Sequence, residues 1–565
     1  MVPFRSRLTE LNDAQLDLLL APPDAGPVDG GGHRRLMRMV KTAVAAHLDE
    51  RSRYWQAPAA LHKVPEWLAG LHGLQAEDGL FSSGENLASP PDSSFTVNDM
   101  ALVHHLIRVH GRDDPVLAYV RESLALLMTR VTPALLTGGV HTPNHRWEIA
   151  SALARLDACY PDPRVRARAE EWLAEGVDVA PDGLYSERSA NYAALVTNPS
   201  LIVLAEHLDR PELLDVVHRN LHAHAALTDG DGLVETVHSR RQDQGQPFSI
   251  SSFVLAYRRF AVLGGCGACT ASARLAEDHL GPPAAGALPE ILLRPELGGP
   301  LPTGSPATVA EGHHAFPSAQ LVRIRQGRSV ATVYGGSDVG ATGRLASGLA
   351  CDPTFLRWRH GEVVLDSVRL SRSFFGLGPF RSDGLTRSDR DGKQVYRLHE
   401  RVSAAYYQPL EPSLHRSDGG YRLEYEGRFG AAMAFSARGR DEVGLMTELV
   451  VSTSPDGFVI TAEFTGVETS YAFELAFRPG GELAGVQPVP GQDAYELVEG
   501  FGTYRVGQDV IRFGPGNGSG PDQPAVYDPG EAYTFLRGTD AVGGVRVYVT
   551  GRTPGRHTLV VTASS

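Results

Sequence analysis

The chain has 565 residues, of which 42% are hydrophobic, and its formal net charge is −13. Single hydrophobic cores stop growing at about 250–300 residues, so this length predicts at least two domains. The negative charge argues against a general surface for nucleic acid or anionic membrane, so any polyanion must be bound by a local basic cleft.

The N-terminus, "MVPFRSRLTELNDAQLDLLLAPPDAG", has acidic residues where a signal peptide has a continuous apolar stretch. No apolar run in the chain reaches the ~20 residues that a membrane-spanning helix requires. Together these observations predict a cytoplasmic protein without a membrane partner.

From about residue 32 to 280 the apolar residues recur at helical spacing. The segments that show this pattern are "HRRLMRMVKTAVAAHL", "VNDMALVHHLIRVHG", "PVLAYVRESLALLMTRV", "HRWEIASALARLDACY", "VRARAEEWLAEG", "YAALVTNPSLIVLAEHL", "PELLDVVHRNLHAHAAL" and "SISSFVLAYRRFAVLG". They predict about ten helices, which short loops join in pairs. "DGLF", "DGLY" and "DGDGLVET" recur in these loops, near 78, 182 and 229. The recurrence predicts paired helices in a ring, with the DG loops along one rim.

Residues 281–305 are rich in Pro and Gly and read as a crossover between domains. After them the apolar residues alternate in short runs such as "QLVRIRQ", "SVATVYGG", "GEVVLDSVRLS", "YRLEYEGRF", "GFVITAEFTG", "TYRVGQDVIRFG" and "GVRVYVTG". Many short antiparallel strands predict a large β-sandwich. The predicted fold class is therefore α+β multidomain, with an incomplete (α/α) toroid of about five to six helix pairs at 1–285, a linker at 286–305 and an antiparallel β-sandwich at 306–565.

The four cysteines are too few for a disulfide framework. They are Cys159, Cys266, Cys269 and Cys351. The "CGAC" motif at 266–269 lacks the second CxxC or the His pair of a zinc site, so structural or incidental thiols are predicted.

Four interhelical segments are rich in groups that can do chemistry: "SPPDSSFTVND" (89–99), "HTPNHRWE" (141–148), "DGLYSERSANY" (182–192) and "ETVHSRRQDQG" (235–245). Each has a structural interpretation when taken alone. Asn144 could cap a helix with Glu148 as its partner, Tyr192 could be a core tyrosine, and His238 could lie in a solvated loop. Because the segments are successive loops of one ring, we expect them to converge.

Their chemistry fits cleavage of a uronic-acid glycoside by β-elimination. The C5 proton becomes acidic enough to remove only when the neighbouring carboxylate is neutralised, which an amide and cations can do. A tyrosine or histidine can then move the proton. A free tyrosine has a pKa near ~10, so it acts as a base only where cations such as Arg188, Arg240 or Arg241 favour the phenolate.

"NHRWE", followed about forty residues later by "DGLYSERSANY" and then by a β-sandwich, resembles the heparinase II/III-like polysaccharide lyases. The resemblance implies an α/α toroid plus an antiparallel β-sandwich. It also implies that Asn144 neutralises the substrate carboxylate, that His145 acts as base or supports it, and that Tyr192 abstracts or donates the proton. Tyr185 and Glu187 match the lead-in "DG-x-Y-x-E" of that family, which shapes the loop and binds sugar.

The sequence departs from this family in the predicted sandwich. Family members commonly carry an HxHxD stretch there that supplies a catalytic His and often a metal. In the corresponding region at 334–367, Asp352 and Asp366 match the acidic positions of that stretch, but its histidines are missing. Two aspartates alone make a poor zinc site, so no cofactor is predicted, although a structural divalent metal stays open. The second His must come from elsewhere, and His238 is the candidate ahead of His360 and His399.

The predicted catalytic residues are therefore Asn144, His145, Tyr192 and His238. The predicted substrate-binding residues are Arg241, Arg240, Arg188, Glu148, Tyr185, Glu187, Asp92 and Asn98. The predicted partner is an acidic polysaccharide or oligosaccharide, which the protein trims by exo attack. Neither nucleic acid nor a membrane is a predicted partner, and the sequence allows a homo-oligomer.

The sequence also fits two other classes of function. A glycoside hydrolase similar to the unsaturated glucuronyl hydrolases needs two carboxylates ~5–9.5 Å apart, which Asp92, Asp99, Glu148 and Glu187 could supply. A non-catalytic carbohydrate-binding protein could also keep the cleft of the ring.

Overall fold

The computed structural model describes residues 3–21, 32–84, 86–111, 114–303, 311–339, 348–390, 393–518, 532–533, 538–539 and 543–564. The chain divides into two compact units. The first comprises Met1–Glu235 and Pro247–Val309, and the second comprises Thr236–Gln246 and Ala310–Ser565. The short segment Thr236–Gln246, which holds three predicted site residues, therefore groups with the second unit.

The first unit is helical, as predicted. Its helices are α1 Phe4–Leu20, α2 His33–Leu48, α3 Pro58–Leu61, α4 Val64–Leu74, α5 Pro90–His110, α6 Pro115–Thr137, α7 Pro143–Cys159, α8 Pro163–Ala174, α9 Ala190–Tyr192, α10 Asn198–His207, α11 Glu212–Leu227, α12 Val254–Val262, α13 Gly267–Asp278 and α14 Leu288–Leu293. A two-stranded ribbon, β1 Leu233–Val234 with β2 Phe248–Ser249, lies between α11 and α12.

Several of these helices begin where the sequence supplies both a cap and a proline. Ser89 and Asp114 hold the N-cap positions of α5 and α6, and their side-chain oxygens accept backbone N–H groups of the first turn. Pro90 and Pro115 follow them at the first helical position. A backbone N–H at this position has no acceptor within the helix, so a proline there costs no hydrogen bond. The helices pack in sequence order, with α5 against α6 and α7, and α7 against α8 and α10.

The helix predicted over 192–208 is interrupted. α9 ends at Tyr192, a π-helical turn covers Ala193–Thr197, and α10 then runs from Asn198. The cause is local, because Pro199 has no N–H to donate to the carbonyl four residues earlier. The chain therefore changes its helical register immediately after Tyr192.

The linker predicted at 286–305 contains regular structure. α14 lies within it and buries Leu288, Ile291 and Leu292, and the helix packs against α1, α2 and α5. Apolar residues at i, i+3 and i+4 give this short helix a buried face, so it is part of the helical core.

The DG loops form the same turn three times. In each loop the Asp side chain accepts the N–H two residues later, as Asp78 does from Leu80 at 3.0 Å, Asp182 from Leu184 at 3.4 Å and Asp231 from Leu233 at 3.3 Å. The following glycines, Gly79, Gly183 and Gly232, have φ of +85°, +89° and +76°. A left-handed φ favours glycine, which explains the recurring dipeptide.

The second unit is a sheet structure, as predicted. Its strands are β3 Gly312–Phe316, β4 Leu321–Gln326, β5 Ser329–Tyr334, β6 Leu356–His360, β7 Val363–Arg372, β8 Leu385–Arg390, β9 Lys393–Tyr407, β10 Glu424–Tyr425, β11 Gly430–Ala431, β12 Arg440–Ser454, β13 Gly457–Phe477, β14 Glu482–Ala484, β15 Gln487–Pro488, β16 Tyr495–Glu496, β17 Gly502–Val506, β18 Asp509–Gly514, β19 Ala532–Tyr533, β20 Gly538–Thr539 and β21 Val545–Ser564. The main sheet follows the order β14-β17-β18-β21-β13-β7-β6-β5-β4-β3, with β12, β9 and β8 branching from β13.

Strand β13 organises this sheet. Its first half pairs with β12 and its second half with β7, and the register shifts between Phe464 and Thr469. A bulge of this kind bends a strand, so a single strand can contribute to two layers. The strand predicted over 421–429 is reduced to β10, whose residues are not buried and pair only with β11. Among the described residues no helix has the length and apolar character needed to span a membrane.

Candidate functional site

The candidate site is built around Asn144, in the first turn of α7. Asn144 does not cap this helix, because Thr142 holds the N-cap position. Its side chain is only 1% exposed, and its Nδ2 donates to Glu187 Oε2 at 2.5 Å. Its Oδ1 has no hydrogen-bond partner among the described residues. A buried amide without a full set of partners is uncommon and calls for an explanation, which a ligand can supply.

Glu187 lies in the segment that follows the second DG turn, and this segment is fastened to α7. Arg146 of α7 forms ion pairs with Glu175 at 3.0 Å and with Asp178 at 3.1 Å. Asp178 O in turn accepts the N–H of Ser186 at 3.1 Å. The predicted meeting of "NHRWE" with "DGLYSERSANY" is therefore present in the structure.

The two tyrosines of this segment have different surroundings. Tyr185 is buried, and its hydroxyl donates to Asn198 Oδ1 at 2.7 Å. Burial raises its pKa well above the ordinary value. Tyr192 is half-buried, and its backbone N–H donates to Ser189 Oγ at 3.1 Å. Tyr185 thus holds the loop in place, whereas Tyr192 is partly open to solvent.

Arg188 separates Glu187 from the N-cap of α9 and has a left-handed backbone with φ of +52°. Its N–H donates to Tyr185 O at 2.9 Å. A non-glycine residue in this region is uncommon and costs of order 1–3 kcal/mol, and such positions cluster at functional sites.

His145 lies near aromatic residues that were not among the predicted site residues. Its ring lies 4.8 Å from that of His141 and 6.3 Å from that of Phe95, centroid to centroid. The guanidinium carbon of Arg34 lies 3.7 Å from the centroid of the Phe95 ring. A cation over an aromatic ring gains electrostatic energy, so Arg34 brings positive charge to this side of the site. Helical spacing could have indicated Phe95, which is half-buried on α5.

Two predicted substrate-binding residues, the half-buried Asn98 and the buried Glu148, belong to one polar network. Asn98 Nδ2 donates to Glu148 Oε1 at 2.8 Å, and Ser200 Oγ donates to Glu148 Oε2 at 3.3 Å. Burial raises the pKa of Glu148 to about 7, against the lowering effect of these hydrogen bonds and of Arg34. These side chains join α5, α7 and α10.

Asp92 is also engaged within the helical unit. It is buried and contacts His33 Nε2 at 2.8 Å through Oδ2, and Arg34 through Oδ1. Asp99, two turns later on the same helix, pairs with Lys41 at 2.6 Å. Both carboxylates of α5 therefore stabilise the packing of α5 on α2.

The predicted cations and histidine of 235–245 lie in the second unit. Arg240 forms a bidentate pair with Asp338, at 2.7 Å from Nε and 2.8 Å from Nη2. The pairing raises the pKa of Arg240. His238 is buried, and Arg241 is half-buried with its N–H donating to Ser239 Oγ at 3.1 Å.

The two aspartates considered for a metal have protein partners. Asp352 accepts the N–H of Thr354 at 2.9 Å, and Asp366 pairs with Arg478 at 2.8 Å. His360 Nδ1 contacts Ser329 Oγ at 2.8 Å, and His399 lies exposed on β9. The pairing of Asp366 with an arginine makes it a poor ligand for a cation.

No protein-family model and no curated protein matches this sequence. Solved structures do match in fold. A Streptomyces coelicolor A3 chondroitin AC lyase in complex with chondroitin sulphate superposes with a TM-score of 0.53 at 15% identity, covering 100% of this chain and 80% of that chain. A heparinase III superposes with a TM-score of 0.51 at 14% identity, covering 94% and 77%. A Paenibacillus xanthan lyase superposes with a TM-score of 0.58 at 8% identity, covering 99% and 57%.

These similarities show that the chain has the fold of the heparinase-like polysaccharide lyases, a helical toroid followed by an antiparallel β-sandwich. The predicted fold class is therefore confirmed. At identities of 8–15% the likeness is one of architecture alone.

Proposed function

We propose that this protein is a polysaccharide lyase that cleaves a uronic-acid-containing glycan by β-elimination and leaves an unsaturated uronate. The observation that carries the proposal is the buried Asn144 amide, oriented by Glu187 beside His145 on a toroid of lyase type.

In the proposed mechanism Asn144 neutralises the substrate carboxylate. Its Nδ2 has two N–H groups, and the hydrogen bond to Glu187 uses one of them. Glu187 fixes the plane of the amide, so the second N–H is preorganised toward the charge that builds on the carboxylate as the C5 proton leaves. Glu187 is in this scheme a positioning residue.

Tyr192 and His145 are the proposed proton-transfer groups. β-Elimination removes the C5 proton and protonates the leaving glycosidic oxygen, so a group that accepts the first proton can return it to the oxygen. Tyr192 is half-buried and lies five residues after Glu187 on the segment fastened to α7. His238 is a further proposed participant, and Arg188 and Arg241 are the proposed binding cations.

An ultraviolet assay tests the proposal directly. A panel of uronate polymers and oligomers is incubated with the protein, and the absorbance of a conjugated unsaturated uronate is recorded. Reducing-end release without an ultraviolet gain indicates the hydrolase instead. One observation favours that alternative, because a buried carboxyl with a pKa of about 7, as in Glu148, suits a general acid. Binding without turnover of any glycan in the panel indicates a carbohydrate-binding protein.

The exo mode and the cytoplasmic location are separate parts of the proposal. An exo enzyme acting on oligosaccharides lowers the viscosity of a polymer slowly while product accumulates, so an early drop in viscosity contradicts it. Cell fractionation with an antibody to the protein tests the location.

A further inference from the structure

Four metal-ligand side chains meet in the helical unit, outside the candidate site. His218 and His222 lie one turn apart on α11, and Cys266 and Cys269 flank the first turn of α13. One ligand atom from each of these residues lies within 4.8 Å of the other three. The histidine and cysteine pairs are far apart in sequence, so the fold alone brings them together.

This cluster bears on the prediction that the cysteines of "CGAC" are structural or incidental thiols. The motif lacked a histidine pair in sequence, but His222 precedes Cys266 by 44 residues and its Nε2 lies 3.4 Å from Cys266 Sγ. Histidines at i and i+4 of a helix point to the same side, so α11 presents both imidazoles to the CxxC. The sequence shows the two histidines, in "HRNLH" at 218–222, but it does not show that they lie beside the two cysteines.

The distances suit a tetrahedral ion. The two histidine Nε2 atoms are 3.1 Å apart. Zinc bonds of ~2.0–2.1 Å to nitrogen and ~2.3 Å to sulfur place the ligand atoms of a tetrahedral site about 3.3–3.8 Å from one another. The four side chains therefore need to move only slightly to close around an ion.

The surrounding structure prepares two of the four ligands. Cys266 holds the N-cap position of α13, and its Sγ accepts the N–H of Cys269 at 3.3 Å. The ring of His218 stacks on Phe260 at 4.8 Å with an interplanar angle of 6°, which fixes its plane.

We propose that His218, His222, Cys266 and Cys269 bind one structural zinc ion that joins α11 to α13. The two thiols each lose a proton as their Zn–S bonds form, and the two neutral imidazoles donate their lone pairs, so the site is electrically neutral and no electron is transferred. Four protein ligands complete the coordination shell, which is the arrangement of a structural and not a catalytic site.

The zinc would stabilise a helix that supports the candidate site. Asn220 lies between the two histidines in sequence and therefore on the other side of α11. Its Nδ2 donates to Gly183 O of the second DG turn at 2.8 Å, and its Oδ1 accepts from Asn198 at 2.9 Å. The proposed ion and the DG turn thus lie on opposite sides of the same helix.

The same residues allow one alternative, a redox-active dithiol. A CxxC at a helix N-terminus can form a disulfide between its own cysteines, as in thiol oxidoreductases. A disulfide would leave the two histidines without a role, whereas zinc uses all four groups.

The test is metal analysis of the full-length protein, purified without an affinity tag and without chelator. We expect about one zinc per chain, and for the cobalt-substituted protein the intense visible bands of a tetrahedral site with sulfur ligands. His222→Ala and Cys266→Ser should each reduce bound zinc to background. Cys159→Ser, which changes another half-buried cysteine at the end of α7, is the matched control and should retain it.

Thermal unfolding provides a second readout. Removal of zinc should lower Tm by at least ~5 °C in the unchanged protein and in Cys159→Ser, and by much less in His222→Ala. Because His222 is exposed, the alanine variant is expected to fold. A protein without zinc that also fails to bind added zinc or cobalt overturns the proposal, and so does a mass 2 Da low from a Cys266–Cys269 disulfide.

Discussion

The first and second DG loops have nearly the same sequence, "DGLFSS" at 78–83 and "DGLYSE" at 182–187, and form the same turn. Each turn leads to a helix whose N-cap is a serine. Ser89 Oγ accepts the N–H of Asp92 at 3.1 Å, and Ser189 Oγ accepts that of Tyr192 at 3.1 Å. Both loops therefore combine the same DG turn with a serine N-cap, although the serine follows the Asp by eleven residues in the first loop and by seven in the second.

The two loops differ in the side chains that this arrangement presents. In the first, Phe81 stacks on His33 at 4.7 Å, and Asp92 is paired with His33 and Arg34. In the second, Glu187 takes the place of Ser83 and orients Asn144. The DG turn is thus a structural unit that recurs in the helical unit, and the side chains around the second copy distinguish the candidate site.

The largest expected effect separates the two tyrosines of the second loop. Tyr192→Phe should lower kcat about 10²–10⁴-fold with little change in KM or stability, because the variant loses only a hydroxyl that transfers the proton. Steady-state kinetics on the substrate found in the ultraviolet panel, together with Tm, measures both quantities.

Tyr185→Phe is the matched control for that experiment. It removes the donor to a buried Asn198 oxygen, so it should reduce the free energy of unfolding by ~1–3 kcal/mol and leave kcat of the folded protein within a few-fold. The comparison fails if Tyr185→Phe abolishes turnover, or if Tyr192→Phe remains fully active.

The second prediction exchanges the residue at which the loops differ. Asn144→Ala should lower kcat ~10²–10³-fold, as removal of one oxyanion donor does, and Glu187→Ser should lower it less because Asn144 remains. Glu187→Gln should restore most of the loss, since its amide oxygen can still accept from Asn144. Ser83→Ala, at the equivalent position of the first loop, should have no effect on kcat. A destabilised but fully active Asn144→Ala would return Asn144 to a purely structural role.

The DG turn that the two loops share was predictable from the sequence. The features that distinguish the second loop were predictable only in part. Gly79 and Gly183 are visible as a DG dipeptide because a left-handed φ requires a particular residue. The convergence of Asn144 with the segment after Gly183 followed from their places on successive loops. By contrast, the helix is interrupted after Tyr192 because of Pro199. The spacing of apolar residues alone does not reveal that a proline changes the helical register.

Other features required the tertiary structure. Asn98 and Glu148 look like a polar rim in sequence, but the packing of α5, α7 and α10 joins them in one network in which Glu148 is buried. The pairing of Arg240 with Asp338 joins residues 98 positions apart, which no local pattern indicates. Long-range polar pairs are invisible to periodicity because each member reads as an ordinary surface residue.

The third prediction concerns Glu148, the buried carboxyl group that joins α5, α7 and α10. The pKa of Glu148 is raised to about 7 in the folded protein from an ordinary 4.5, so the folded state binds its proton more tightly than the unfolded chain. The free energy of unfolding should therefore decrease as pH rises from about 4.5 to 7, by roughly 3 kcal/mol. This part of the pH dependence should be absent in Glu148→Gln, as measured by urea unfolding at pH 5 and pH 8.

The same variant also tests the hydrolase alternative. If Glu148 serves only the packing of α5, α7 and α10, Glu148→Gln should retain turnover within a few-fold. If it is the general acid of a hydrolase, the variant should lose turnover while its stability changes little at pH 5.

The smallest expected effect tests whether the two turns are equivalent. A Cβ atom added to either glycine would clash with a backbone carbonyl oxygen of a neighbouring helix. Gly79 faces the carbonyl oxygen of Arg130, and Gly183 faces that of Arg219. Gly79→Ala and Gly183→Ala should each reduce the free energy of unfolding by at least ~1 kcal/mol, because alanine is strained at positive φ. Urea unfolding should give similar losses for the two variants. Their kcat values should differ, however, because displacement of Gly183 moves Glu187 and Tyr192, whereas displacement of Gly79 moves Ser83 and Asp92. Equal losses of kcat in both variants would show that the whole rim, and not the second loop alone, positions the substrate.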